Sequence, residues 1–209
     1  MLEREWRAKR NLRPIAHGTG VGRIAAMDTD IMVALRTATA AEHARLDAAL
    51  DLLAGDGWHR IVKLVGRLYG FHQVWEPLIV RLPECRSVFA GRGKLAFLRD
   101  DLLSLGFTEG AVSALPRCEA AAHLVRDWRV AFGSMYVMEG STLGGQVIAR
   151  RLALPLCSLV PYGPRTGAMW RAFGAAARAS LGPGERMPAL EGARETFAIL
   201  QDWLTGEAA

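Results

Sequence analysis

Two local patterns in this chain carry residues suited to chemistry. The first is an isolated imidazole, His43, on a stripe formed by Leu35, Thr39, His43, Leu46, Leu50 and Leu53. Helical spacing places these side chains on one face. An imidazole among apolar neighbours loses hydration, so it needs a hydrogen-bond partner or a metal. Two roles are open: a core histidine satisfied by a carbonyl or carboxylate, and an axial ligand to a metal centre held between helices. His72 and His123 lie in helical, partly apolar stretches and compete for the ligand role. His59 reads as a surface residue near a helix start, and His17 belongs to the N-terminal segment.

The second pattern is Glu139-Gly140-Ser141-Thr142-Leu143-Gly144-Gly145-Gln146. A glycine inside a helix costs about 1 kcal/mol relative to alanine, so this cluster needs compensation. Close packing of two helices is one explanation. A helix that bends and offers bare backbone to a bulky, flat ligand is the other. The adjacent pair Gly144-Gly145 favours the second.

The elements that must position these residues are helical almost throughout. Thr29 or Asp30 caps a first helix, which Gly55-Asp56-Gly57 ends. A second runs from Trp58 to Leu82, kinked at Pro77 and stopped by Pro83. Lys94 to Leu105 forms a third, ended by Gly106, and Thr108 caps a short fourth. Arg117 to Leu154 is a long helical stretch carrying the glycines, and Pro155 ends it. Two more helices, Gly167–Leu181 and Pro188–Leu204, follow a connection containing proline and glycine. No alternating β-branched run competes. The fold class is all-α, a single-domain bundle of six to eight helices.

Charge is unevenly distributed. The chain carries 26 basic against 21 acidic residues, a net +5 and a pI near 9.6, which invites a nucleic-acid reading. Residues 1–27 alone contribute +4 of this, through Arg4, Arg7, Lys9, Arg10, Arg13 and Arg23 against Glu3 and Glu5. Residues 1–29 therefore read as a flexible basic tail, with Met27 and Met32 as alternative starts, and 30–209 as the domain. The basicity belongs to that tail, so no nucleic-acid partner is expected. The most apolar window, Val130 to Ala149, contains Glu139, Ser141, Thr142 and Gln146, which a membrane span tolerates poorly. No secretory signal is present, and the chain is expected in the cytoplasm.

Other sites lack support. There is no phosphate-binding GxxxxGKS/T loop, no HExxH, no paired-carboxylate repeat of the di-iron type and no GxSxG elbow. Cys85, Cys118 and Cys157 lie far apart, which fits a reducing compartment and argues against thiolate-bound zinc. A thiol hydrolase on a related helical scaffold would need one of them in a polar cleft with carboxylates.

The segment from Leu35 to Asp47, around His43, resembles the proximal helix of haem oxygenases. Tyr136 to Ile148, around the glycines, resembles their distal helix, with wording closest to the bacterial, biliverdin-producing branch associated with bacteriophytochromes. Leu98–Leu102 with Leu105-Gly106, Tyr162–Gly167 with Trp170, and Thr196-Phe197 with Trp203-Leu204 extend the resemblance in order toward the C-terminus.

The resemblance implies a haem sandwiched between a proximal helix and a kinked, glycine-rich distal helix. His43 would then ligate the iron of haem b, which is both cofactor and substrate. Gly140, Gly144 and Gly145 would let the distal backbone approach the ring. Arg36 matches a basic position that meets a haem propionate, Arg171 is a second candidate, and Tyr136 and Thr142 join the haem-contacting set. Animal-type relatives carry Asp where this chain has Ser141, so proton delivery would run through Ser141, Thr142 or anchored water. The implied reaction is oxidative cleavage of haem at a meso carbon to biliverdin, carbon monoxide and ferrous iron. Dioxygen and an external electron donor, a ferredoxin or reductase, are its partners, and a bacteriophytochrome is the candidate product acceptor. A non-catalytic haem carrier or sensor shares His43 and is the alternative.

Overall fold

The computed structural model describes residues 30–51, 57–152 and 155–206; the expected tail, 1–29, lies outside them. Among the described residues every regular element is helical. Asp30 opens α1 (Ile31–Ala38): its carboxylate accepts from the backbone N–H of Met32 at 2.9 Å and of Val33 at 3.3 Å. These are donors that a helix start otherwise leaves unpaired. Thr39 then interrupts the helix for one residue. Its hydroxyl donates back to the Leu35 carbonyl at 2.8 Å, a side-chain bond that competes with the backbone ladder. α2 (Ala40–Leu50) follows and ends at Asp51, which adopts a left-handed φ of 38°.

α3 (Gly57–Ile79) carries Pro77 in its last turn and stops at Ile79 rather than at Leu82. Pro83 does more than stop a helix. It occupies the first turn of α4 (Pro83–Phe89), where a missing N–H costs nothing. α5 (Leu95–Ser104) closes at Gly106, whose φ of +92° suits glycine, and Thr108 Oγ1 caps α6 (Glu109–Ser113) through the Ala111 N–H.

The helix expected from Arg117 is instead a 3-10 segment over Glu119–Val125. The Cys118 N–H is tied to the Gly70 carbonyl of α3 at 3.1 Å, which holds this stretch out of the next helix. α7 (Trp128–Leu152) begins after Asp127, whose carboxylate accepts from the Arg129 N–H at 2.8 Å. Two short 3-10 turns, Cys157–Leu159 and Gly163–Arg165, lead to α8 (Thr166–Ser180) and then α9 (Arg186–Thr205). The described residues thus form nine α segments, not six to eight; the break at Thr39 and the start at Pro83 account for the excess.

α7 and α9 are the most extensively packed pair. Their closeness depends on two glycines. A Cβ on Gly133 would lie 2.0 Å from the Ala189 carbonyl oxygen, and one on Gly192 would lie 2.3 Å from that of Val130. Around this crossing Trp75, Phe71, Phe132, Phe173, Leu35 and Leu124 are fully buried. Burial of each contributes about 1.5–3 kcal/mol. α1 and α2 lie against α9, α1 also meets α8, and α8 meets α7. No helix among the described residues is long and apolar enough to cross a membrane.

Candidate functional site

His43 projects from α2 at the edge of the buried line Ile31, Leu35, Thr39 and Leu46. Its side chain is 62% exposed, which corrects the expectation of an imidazole sunk in an apolar stripe. The break at Thr39 keeps Leu35 and Leu46 inward and leaves His43 on the flank. Nδ1 lies 3.0 Å from the Asp47 carboxylate one turn later, and the ring meets Phe197 of α9 edge-on at 5.6 Å. The hydrogen bond to Asp47 raises the imidazole pKa, against the opposing effect of burial. When neutral, a ring whose Nδ1–H is donated to a carboxylate carries its lone pair on Nε2, the orientation a metal-ligating histidine needs.

Its competitors do different work. His72 is buried in α3, with Nδ1 2.7 Å from Glu76, and burial lowers its pKa. His123 is exposed in the 3-10 segment before α7. Among the described residues no group of three or more His, Cys, Asp or Glu could hold a metal ion.

The glycines of α7 divide into two kinds, and the helix is assigned without interruption through all of them. Gly145 is a packing residue: a Cβ there would lie 2.4 Å from the Leu159 carbonyl oxygen. Gly144 faces open space with nothing within 4 Å, and Gly140 meets only the Trp170 ring at 3.8 Å. Leu143 and Val147 of the same helix, and Val33 of α1, are large apolar side chains left exposed. A bare backbone strip flanked by exposed apolar groups suits a flat, apolar ring.

A polar cavity of about 340 Å³ lies beside α1, lined by Val33, Arg36, Thr37, Trp170 and Arg178, with Asp30 and Met32. Arg178 forms an ion pair with Asp30. Tyr136 stacks near Trp170 at 5.6 Å and hydrogen-bonds Thr39, and burial pushes its phenol pKa up. Arg36 thus lines the cavity, and Tyr136 sits beside it, against Trp170 and Thr39. Arg171 does not line this cavity; it lies back along α8, close to Gly167. Thr142 is buried, and its hydroxyl donates to the Glu139 carbonyl of its own helix at 2.6 Å.

Beneath the glycine strip lies a buried polar cluster that the sequence reading did not assemble. Glu139 pairs with Arg92 and accepts from the Tyr162 hydroxyl at 2.7 Å. Lys94 is 5% exposed and donates through Nζ to the Met138 carbonyl and to Ser141 Oγ at 3.2 Å. Burial brings the Lys94 pKa down to about 8, although Glu139 and Glu76 oppose the fall. Burial works against ionised Glu76 as well. Bonds from His72 and from the Lys94 and Leu95 N–H groups nevertheless hold its pKa below the usual range. The one visible signal was Glu139, a carboxylate in the most apolar window of the chain. Cys85 and Cys118 are buried, and burial raises both thiols, Cys85 to about 12, which does not suit a nucleophile.

The fold is all-α, and it presents one carboxylate-held imidazole on α2 and one side-chain-free strip on α7. The chain is 35% identical over 151 residues to a protein named heme oxygenase from Xanthomonas campestris pv. campestris (strain 8004). That match covers 68% of this chain and 84% of the relative. No protein-family model matches. The chain belongs to the haem oxygenase family.

Proposed function

We propose that this protein cleaves haem oxidatively to biliverdin, and that the cleft between α2 and α7 holds the haem. The observations that support the reading are His43, held through Nδ1 by Asp47 on α2, and the open strip at Gly140 and Gly144 on α7. The family relationship supports it. Bound haem supplies iron for dioxygen chemistry and is also the ring that is opened.

The chain's own residues then have definite tasks. His43 would hold the iron through Nε2, with Asp47 fixing the tautomer and ring direction through Nδ1. Arg36 and Arg178 line the polar cavity and are placed for the two propionates, setting how the ring seats. Gly140 and Gly144 would leave the backbone bare toward a bound haem, and the exposed Leu143 and Val147 would offer it apolar surface. Ser141 is the hydroxyl nearest the strip that can hold a water. Electrons come from an external donor, a ferredoxin or reductase. The product acceptor is a bacteriophytochrome, and the setting is cytoplasmic.

The test is direct. Ferric haem is bound, an electron donor is added under air, and the spectrum is followed. Loss of the Soret band with growth of verdin absorption is expected. A Soret band that persists favours a haem carrier, the reading that the serine at Ser141 motivates, and overturns the proposal.

A further inference from the structure

We propose that buried Lys94 is a positioning residue for the distal cleft, acting through Ser141 to hold and polarise a water above the haem-binding strip. The inference rests on the haem-cleaving reading and adds a residue to it.

The geometry is specific. Lys94 precedes α5, yet its side chain runs under α7 and ends between the Met138 carbonyl and Ser141 Oγ. Ser141 donates its own hydroxyl to the same Met138 carbonyl at 2.8 Å. That carbonyl therefore has two donors. Ser141 can turn its O–H away toward the cleft without orphaning a buried acceptor, because Lys94 still satisfies Met138. Ser141 itself is exposed and sits between Gly140 and the open position Gly144. An ammonium donating into Ser141 Oγ draws electron density from the hydroxyl, so the O–H becomes a stronger donor to a water in the cleft.

A buried cation needs a reason to be there, since an unpaired one is costly. Among the described residues no carboxylate forms a direct ion pair with Lys94. The charged and titratable groups around it are Glu76 and His72 from α3, Glu139 from α7 and Arg92 from the segment before α5, with Tyr162 beyond Glu139. Glu76 takes the Lys94 backbone N–H at 2.6 Å, and Glu139 is occupied by Arg92 and Tyr162. The ammonium is left to the helix carbonyl and to Ser141. Because its pKa lies at about 8, the polarising charge is present below that pH and is lost above it.

The experiment compares wild type with S141A, K94M, K94R and the double variant S141A/K94M. Each is loaded with ferric haem b, and two quantities are followed from pH 6.5 to 9.5. One is the rate of verdin formation. The other is the pH midpoint of the ferric complex's absorption spectrum, with no turnover. Wild type should lose about tenfold in rate as pH rises through about 8. S141A and K94M should each lose about tenfold at pH 7, the double variant no more, and both pH steps should flatten. K94R should keep its rate at pH 9, because a guanidinium stays charged. The spectral midpoint should move in S141A and K94M alike. S141A alters an exposed side chain, so it remains a test even if K94M folds poorly. Verdin formation by S141A at the wild-type rate and pH profile overturns the inference while leaving haem cleavage intact. Multiplied losses in the double variant, or an unmoved spectral midpoint, do the same. A wild-type chain that binds haem and forms no verdin overturns the haem-cleaving reading and the inference with it.

Discussion

Gly145 abuts Leu159 so closely that a Cβ on the glycine would stand 2.4 Å from the leucine carbonyl oxygen. One residue earlier, Gly144 faces empty space. Neighbours in a helix point about 100° apart, so two glycines that look equivalent in sequence answer different demands. G145A should therefore destabilise the apo-protein by about 1–3 kcal/mol, since backbone cannot move aside cheaply. G144A should stabilise it by about 1 kcal/mol through helix propensity while slowing verdin formation. Thermal or urea denaturation of the two apo-proteins checks the opposed signs.

The network under α7 should be far more sensitive than its surface counterparts. Removing the carboxylate in E139A leaves Arg92 as a buried, unpaired cation, at an expected cost of about 3–5 kcal/mol. Y162F deletes the hydrogen bond to Glu139 and the longer one to the Arg92 carbonyl, leaves the ion pair in place, and should cost about 1 kcal/mol. Denaturant midpoints that rank the variants in the other order would count against a buried ion pair here.

Much of this arrangement was legible from residue spacing. The helices, the Thr108 cap and the two site segments follow from apolar period and turn residues. What could not be read is which side of each element the rest of the protein covers. Arg171 and Arg178 lie two turns apart on α8, and spacing alone does not choose between them. Only the contact of α1 with α8, through Asp30, places Arg178 at the cavity. Lys94 reads in sequence only as the start of the third helix, and nothing there marks Arg92 or Lys94 as buried. Both are buried because α3, α7 and the Tyr162 turn converge on them, a tertiary fact with no local signature. His43 shows the reverse: a helical face predicts burial, and the break at Thr39 leaves it exposed.

Asp47 is the residue that should distinguish a held imidazole from a free one. In H43A the ferric haem spectrum should lose its histidine-ligated character, and added imidazole should restore it. With His43 as the proposed ligand, D47A would keep it but free ring rotation and tautomer, so haem affinity should fall about tenfold or more. Absorption titration of both variants measures this. An unaltered H43A spectrum would move the ligand elsewhere.

Lys94 should also mark the pH dependence of stability, and its sign is fixed by the direction of its shift. Its pKa falls from 10.5 to about 8 on folding. Below pH 8 both folded and unfolded chains carry the proton, and the full cost of burying the charge is present. Between about 8 and 10.5 the unfolded chain binds more protons than the folded one, so this group makes stability rise with pH. The raised thiol of Cys85 and phenol of Tyr162 act in the opposite direction as pH climbs past 9 and 10, so the wild-type curve alone would hide the effect. Subtracting the K94M curve removes those common contributions. The difference should favour wild type by a further ~3 kcal/mol at pH 10.5 relative to pH 7. Urea denaturation of both apo-proteins across this range measures it, and a flat difference would mean that the folded ammonium keeps its ordinary affinity for the proton.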